Sequence, residues 1–169
     1  MNAFNPSKGR NMTITYKELR ERKIKLDEKR IENMNRVREE ALALIDKYTE
    51  SLQLENESWD DYQGNQNSYV TTGILYDDGT FRKCDINSVT IDDYSTISFF
   101  ISTVIDDSPR GGSFIPVGVT LWIGDDDRTH VRIGEDSDGI KVINNNWDRV
   151  CFRLKDKVFI GISKTELTY

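Results

Sequence analysis

Hydrophobic positions in the first third of the chain repeat with helical spacing. Between Thr15 and Leu52 no Pro or Gly interrupts the sequence, and apolar residues recur at seven-residue intervals, as they do along one side of a helix. Thr15 followed by Glu18 matches a capping box, which marks the beginning of a helix. The repeating apolar residues form two lines: Ile24, Ile31, Ile45 and Leu52, and Met34, Ala41 and Tyr48. The pattern predicts one long, charged, amphipathic helix over 15–54.

A helix of this length is longer than a small body can cover. About 38 residues at 1.5 Å per residue extend about 57 Å, roughly twice the width of a small domain. The second half, ALALIDKYTESL, is apolar enough to dock, whereas charged residues interrupt the apolar line in the first half. We therefore expect the first half to project or to pair with another copy. A break near Asn33–Asn35 is the alternative.

After the helix the hydrophobic period changes to two. Residues 55–67 are polar and predict a linker. From residue 68 onward, apolar and polar positions alternate between frequent turn signals, which is typical of antiparallel strands. The predicted strands are 68–76, 80–86, 95–105, 115–123, 128–134, 140–143, 149–155 and 157–163. The predicted fold class is α+β, with the long N-terminal helix followed by an antiparallel β domain over 68–169.

About seven or eight strands of this kind form a meander, a sandwich or a half-open barrel. The pattern does not choose among the three. Residues 1–14 show no periodicity and predict a disordered tail.

Charge is distributed unevenly along the chain. The 169 residues include 23 Lys or Arg and 29 Asp or Glu, a net charge of −6. Residues 1–38 contain eleven of the bases and five of the acids, so this segment carries +6 and the remainder −12. Such asymmetry indicates that this basic segment contacts an acidic partner: nucleic acid, another protein, or the body of the chain itself.

Location and cofactors follow from what the sequence contains. No apolar run approaches a membrane span, and no N-terminal stretch resembles a secretory signal. Two cysteines, Cys84 and Cys151, are too few for a disulfide framework. We therefore expect a cytoplasmic protein with reduced cysteines and no membrane partner. Pairs of aspartates in the loops raise the question of a cation, but the spacing of a calcium loop is absent, so we predict neither metal nor cofactor.

Strand parity sorts basic residues onto one face of the predicted sheet. If the later strands are neighbours, their outward positions carry seven basic residues or His and two aromatic rings. This face comprises Trp122, Arg128, His130, Arg132, Lys141, Arg149, Arg153, Lys155 and Phe159. A basic face with aromatic platforms can hold a phosphate backbone and stack bases. The alternative interpretations are an ordinary solvated sheet face, with arginine stems covering the rings, or a face covered by an acidic partner or by the helix.

Three functions fit these patterns. The first is a non-enzymatic intracellular binding protein, of the inhibitor, immunity or accessory-regulator type, in which the helix is an oligomerisation or docking arm. A protein partner is expected, and a homo-oligomer through residues 19–52 would use Ile24, Ile31, Met34, Ala41, Ile45 and Tyr48. The second is nucleic-acid or nucleotide binding through the basic sheet face. The third is an enzyme acting on an anionic small molecule held by Arg128 and Arg132, with His130 as the base.

Overall fold

Two α-helices, a six-stranded antiparallel sheet and a small two-stranded sheet make up an α+β fold in the computed structural model, which describes residues 13–166. The predicted tail lies outside the described residues except for Thr13 and Ile14. Helix α1 spans Tyr16–Ser51 and helix α2 spans Asp148–Glu166. The strands are β1 Ser58–Asp60, β2 Gln66–Ser68, β3 Val70–Leu75, β4 Phe81–Lys83, β5 Thr96–Val104, β6 Phe114–Ile123, β7 Thr129–Ile133 and β8 Ile140–Lys141.

The main sheet is a single six-stranded sheet with the order β4-β3-β5-β6-β7-β8. Every pair in it is antiparallel. It departs from a simple meander once, because β5 returns to pair with β3 and leaves β4 at the edge. Residues 55–67, which the sequence predicts as a linker, instead contain β1, a tight turn and part of β2, and these two strands form a small separate sheet.

Helix α1 begins where the capping box predicts. The Thr15 hydroxyl accepts a hydrogen bond from the Glu18 backbone N–H, and the Glu18 carboxylate accepts one from the Thr15 backbone N–H at 2.8 Å. The helix then runs without a break to Ser51, so the alternative of an interruption near Asn33–Asn35 is wrong. No Pro or Gly occurs within it, and nothing else in the sequence prevents its propagation.

The core lies between one face of the sheet and the two helices. Strands β5, β6 and β7 contribute alternating aliphatic or aromatic residues that are almost fully buried. Helix α1 packs on β5 and β6, and α2 packs on β6 and β7. The inward residues of the sheet are Ile97, Phe99, Ile101, Val117, Val119, Leu121, Val131 and Ile133, and those of α1 are Val37, Ala41, Leu44 and Tyr48.

The two last predicted strands, 149–155 and 157–163, are wrong, because this segment is α2. Its buried residues are Val150, Cys151, Leu154 and Val158, a spacing that fits one side of a helix. Apolar residues at 150, 154 and 158 satisfy a period of four as well as a period of two, so alternation alone does not separate the two structures. Helix α1 leaves part of the sheet uncovered. A helix over this segment can bury the line of Val150, Leu154 and Val158 against β6 and β7 there, and this packing favours the helix over two further strands.

Polar contacts fix α1 on the sheet. The Arg38 guanidinium donates to the backbone carbonyls of Ile86 and Val89, and Arg36 binds Asp127 in the β6–β7 turn, with 2.9 Å between Nη1 and Oδ1. Deeper in the core, the Tyr48 and Thr103 hydroxyls lie 2.7 Å apart. Both residues are buried, so this hydrogen bond joins α1 to β5 where neither group reaches water.

We expect Tyr48→Phe and Thr103→Val each to reduce the free energy of unfolding by about 1–3 kcal/mol, because each leaves one buried hydroxyl without its partner. The double variant removes both hydroxyls and should lose clearly less than the sum of the two single losses. Urea unfolding of the four proteins measures the cycle. Strict additivity would show that the two hydroxyls do not interact.

Candidate functional site

The basic face predicted from the sequence does not form as one surface. Trp122, His130, Arg132 and Lys141 lie together on the sheet face that the helices leave open, where Trp122 pairs with His130 and His130 pairs with Lys141. Arg128 lies exposed in the turn before β7. The remaining members belong to α2, on the opposite side of the sheet: Arg149, Arg153, Lys155 and Phe159. The predicted continuity is wrong because it depended on the two strands that are α2.

The sheet half of the predicted face is occupied by its own contacts. The rings of Trp122 and His130 stack with 5.5 Å between centroids and 13° between planes. A Cβ atom at Gly139 would lie 2.9 Å from the Trp122 ring, so this glycine permits a close approach to the indole. The Arg132 guanidinium lies 5.9 Å from the Trp122 ring centroid. Little of the indole is therefore left as a stacking platform.

His130 has a carboxylate partner that the sequence did not identify. Its Nε2 lies 3.0 Å from Oδ1 of Asp126, four residues earlier in the turn, and Lys141 Nζ lies 2.9 Å from the other carboxylate oxygen. These bonds, first that of His130 and then that of Lys141, hold the pKa of Asp126 well below its usual range. Asp126, His130 and Lys141 thus form an ion-paired cluster that links the β6–β7 turn to β7 and β8.

Two of the predicted binding cations on α2 hold the fold together instead. Arg153 donates to both carboxylate oxygens of Asp136, at 2.7 and 2.8 Å, and also pairs with Asp156. Lys157 adds a further contact to Asp136 at 2.9 Å. Lys155 donates to the backbone carbonyl of Ser51 at 3.2 Å, at the end of α1. Arg153 therefore ties α2 to the β7–β8 turn, and Lys155 ties it to α1.

The predicted oligomerisation residues separate into two groups. Ala41 and Tyr48 are fully buried in the protein's own core and are not available to a partner, whereas Met34 and Ile45 are partly buried against that core. Ile24 and Ile31 are 44% and 59% exposed. The difference follows from position, because the body begins to cover α1 only after Glu32.

We call residues 16–32 of α1 the arm. Leu19 and Leu26, which were not among the predicted oligomerisation residues, are also 55% and 59% exposed there. Their signal was present in the sequence, since they are seven residues apart like Ile24 and Ile31. The ion pair of Lys29 with Asp127, at 3.7 Å, connects the end of the arm to the body. The arm thus presents four large aliphatic side chains to solvent.

A pocket of about 700 Å³ lies at the other end of the open sheet face, and nothing in the sequence pattern predicted it. The hairpin β1–β2 and the loop 105–113 form its walls, and β3–β6 form its floor. Its lining residues come from positions 59 to 114, so only the fold brings them together. Trp59, Tyr62, Phe81 and Phe114 supply rings, and Lys83 and Arg110 supply positive charge.

The chain matches no protein-family model. Neither a curated protein nor a solved structure matches it significantly. Over residues 13–166, no helix is both long and apolar enough to cross a membrane, and no group of three or more His, Cys, Asp or Glu residues is arranged to hold a metal ion. Functional inference therefore depends on the geometry of the arm and of the pocket.

The Asp136 network generates a prediction about acid stability. Bonds from Arg153 and Lys157 hold the pKa of Asp136 well below its usual range. A depressed pKa in the folded state contributes stability above the unfolded-state value near 4, and that stability is lost as the pH falls below it. We expect Asp136→Asn to reduce the free energy of unfolding by about 1 kcal/mol at pH 7 and to flatten its decline between about pH 4 and pH 2.

Urea unfolding at pH 7, 4 and 3 measures both effects. Asp138→Asn is the matched control, because Asp138 is exposed in the same turn and has no ion pair with any residue in the described range. An equal effect of the two substitutions would contradict a specific role for Asp136.

Proposed function

We propose that the protein is a non-enzymatic binding protein that associates with a second copy of itself through the arm. The observation that carries the proposal is the exposure of Leu19, Ile24, Leu26 and Ile31, which are 44–59% accessible along about 18 Å of helix. Aliphatic residues that are exposed next to one another, rather than singly, mark interaction surfaces, and each of the two pairs, Leu19 with Leu26 and Ile24 with Ile31, lies along one line of the helix. Their seven-residue spacing is that of helices which pair side by side.

The energetics of the arm favour a packing partner. A helix segment that buries no face is marginal in water, even when its sequence favours helix. The arm has a capping box and the exposed ion pairs Lys17–Glu21, Lys23–Asp27 and Lys29–Glu32, and each such pair contributes only about 0.3–0.5 kcal/mol. Burial of the aliphatic side chains against another helix stabilises the arm more strongly, because each side chain contributes about 1.5–3 kcal/mol when fully buried.

Helix geometry selects Ile24 and Ile31 as the pairing line. At 3.6 residues per turn, Leu19 and Leu26 lie within about 30° of the line that α1 buries in the body. Ile24 and Ile31 lie about 120° around the axis from that buried line. A second helix along Ile24 and Ile31 therefore clears the body, whereas one along the other line meets it.

Charge on the arm is compatible with a second copy of the same sequence. With Ile24 and Ile31 at a positions, Lys23 and Glu28 occupy the g and e positions that face each other across a parallel pair, and they carry opposite charges. Arg20 and Asp27 fall at the d positions, where polar residues lower stability and restrict register. We therefore expect a reversible, concentration-dependent dimer.

The proposed class of binding protein is an inhibitor, an immunity protein or an accessory regulator, and the folded body is its scaffold. Both Cys84 and Cys151 are free, which supports a reducing, cytoplasmic location. Nucleic-acid binding through the basic sheet face has less support, because Arg153 and Lys155 are engaged within the protein. Catalysis by His130 has less support for the same reason.

Light scattering after size exclusion, over a range of protein concentrations, tests the proposal. We expect the unmodified protein to increase in mass toward a dimer, and Ile24→Gln/Ile31→Gln to weaken the association on the order of tenfold or more, through lost apolar burial. Leu19→Gln/Leu26→Gln is the matched control, with two aliphatic residues removed from the same arm at the same spacing. A monomer at every concentration, or equal effects of both double variants, would contradict pairing along Ile24 and Ile31.

A further inference from the structure

The pocket on the open sheet face is built by segments that hold one another in place. The backbone N–H of Tyr62, after β1, donates to the Pro109 carbonyl at 2.7 Å, which joins the hairpin to the loop 105–113. Within that loop, Asp106 accepts from the Ser108 backbone N–H at 3.0 Å through its carboxylate, and from the Gly112 N–H at 2.7 Å through its carbonyl. The walls are therefore fixed before any ligand arrives.

Gly112 allows the loop to close against the hairpin. Its φ of +98° lies in the region that favours glycine, and a Cβ atom there would lie 3.3 Å from the Trp59 ring. The Trp59 indole is thus held between hairpin and loop. Its Nε1 is buried and finds no hydrogen-bond partner among the residues that the structure describes. A buried donor without a partner costs stability, so this wall is not organised for stability alone.

Flat apolar surfaces dominate two sides of the pocket. The rings of Phe81 and Phe114 lie with centroids 5.6 Å apart and planes tilted by 52°. Tyr62 is 66% exposed at the rim, and Phe114 is 45% exposed. Aromatic rings at a rim and a floor form a site in which a planar ligand ring can stack, as nucleic acid bases do on aromatic side chains.

The polar part of the pocket is positively charged. Neither Lys83 nor Arg110 forms an ion pair or a side-chain hydrogen bond with any other residue of 13–166. The one carboxylate in the lining, Asp61, is already engaged by the backbone N–H groups of Gln63 and Asn65, each at 2.9 Å. Bonds to Asn65 hold the pKa of Asp61 below its usual value. Asp61 therefore stabilises the hairpin turn, and the two cations remain available to an anion.

Hydroxyl and amide groups complete the lining. Thr71 and Ser102 lie on the floor, from β3 and β5, and Asn67 lies on the hairpin. These groups donate and accept hydrogen bonds. A volume of about 700 Å³ falls within the range of small-molecule sites.

We propose that this pocket binds a small anion that carries a planar ring, of the mononucleotide class. The ring stacks among Trp59, Phe81 and Phe114, and the phosphate contacts Lys83 and Arg110. The rings and the two cations line the same cavity, so one small ligand can contact both kinds of group. This site is distinct from the arm and does not depend on self-association.

Isothermal titration of the full chain with AMP, GMP, CMP and UMP tests the proposal. Adenosine, which lacks the anion, and inorganic phosphate, which lacks the ring, are the control ligands. We expect at least one mononucleotide to bind on the order of tenfold or more tightly than either control, because only the nucleotide uses both halves of the pocket. Failure of all four mononucleotides, or binding no tighter than that of the controls, would overturn the proposal.

Substitutions locate the binding. Lys83→Gln and Arg110→Gln should each weaken mononucleotide binding on the order of tenfold and leave the weaker adenosine binding unchanged. Arg82→Gln is the matched control, because Arg82 is the neighbour of Lys83 on β4 and alternation directs it to the other side; its guanidinium lies 4.9 Å from the Tyr76 ring centroid. Thermal unfolding checks that each variant is folded. An equal loss in Arg82→Gln would overturn the assignment to the pocket.

Titration of the Ile24→Gln/Ile31→Gln variant with the mononucleotide, at a protein concentration where light scattering shows that variant to be monomeric, separates the two proposals. Unchanged affinity is expected, because the pocket acts alone. Loss of binding in that variant would show that the site needs the second copy and would overturn its independence from the arm.

Discussion

The apolar face of β5, β6 and β7 is the constraint on which the rest of the structure depends. Its aliphatic residues must be covered, and no single helix of the described chain is wide enough to cover three strands. Helix α1 lies over β5 and β6, and α2 lies over β6 and β7. The length of α1 that is buried, from Val37 to Tyr48, is set by the extent of this face. The remainder of the helix has no surface to cover, so the arm is a direct result of a long helix on a small sheet.

The two helices cover one face of the main sheet and leave its other face open. The open face is divided along its length: the Trp122–His130 stack and the Asp126 ion pairs occupy one end, and the pocket beside Trp59 occupies the other. At the first end Asp126 pairs with both His130 and Lys141. At the second end the two cations of the pocket have no such carboxylate among the described residues. The proposed site combines exposed rings with cations that form no ion pair within residues 13–166, and composition alone does not show this combination.

Local patterns were sufficient for much of the fold. The capping box at Thr15, the long helix and the six strands of the main sheet follow from spacing and turn signals, and the structure confirms them. The segment from Asp148 to Glu166 could not be assigned in this way, because its apolar residues satisfy both periods and only the uncovered sheet face decides between them. The pocket could not be predicted because Trp59, Lys83 and Arg110 are far apart in sequence. The apolar content of ALALIDKYTESL predicted that the second half of α1 docks, and the structure confirms it. A heptad repeat does not reveal whether residues such as Ala41 and Tyr48 meet the chain's own body or a second copy.

The continuity of α1 has a consequence for the geometry of any assembly. The same helix that carries Ile24 also carries Tyr48, and its backbone hydrogen bonds run between them without interruption. Two chains joined through their arms are therefore joined through rigid rods, and their bodies are held at a set separation and angle. The two pockets then form a bivalent array with a fixed spacing. A partner that presents two matching groups at that spacing binds with an avidity that neither pocket has alone, whereas one with a different spacing gains nothing.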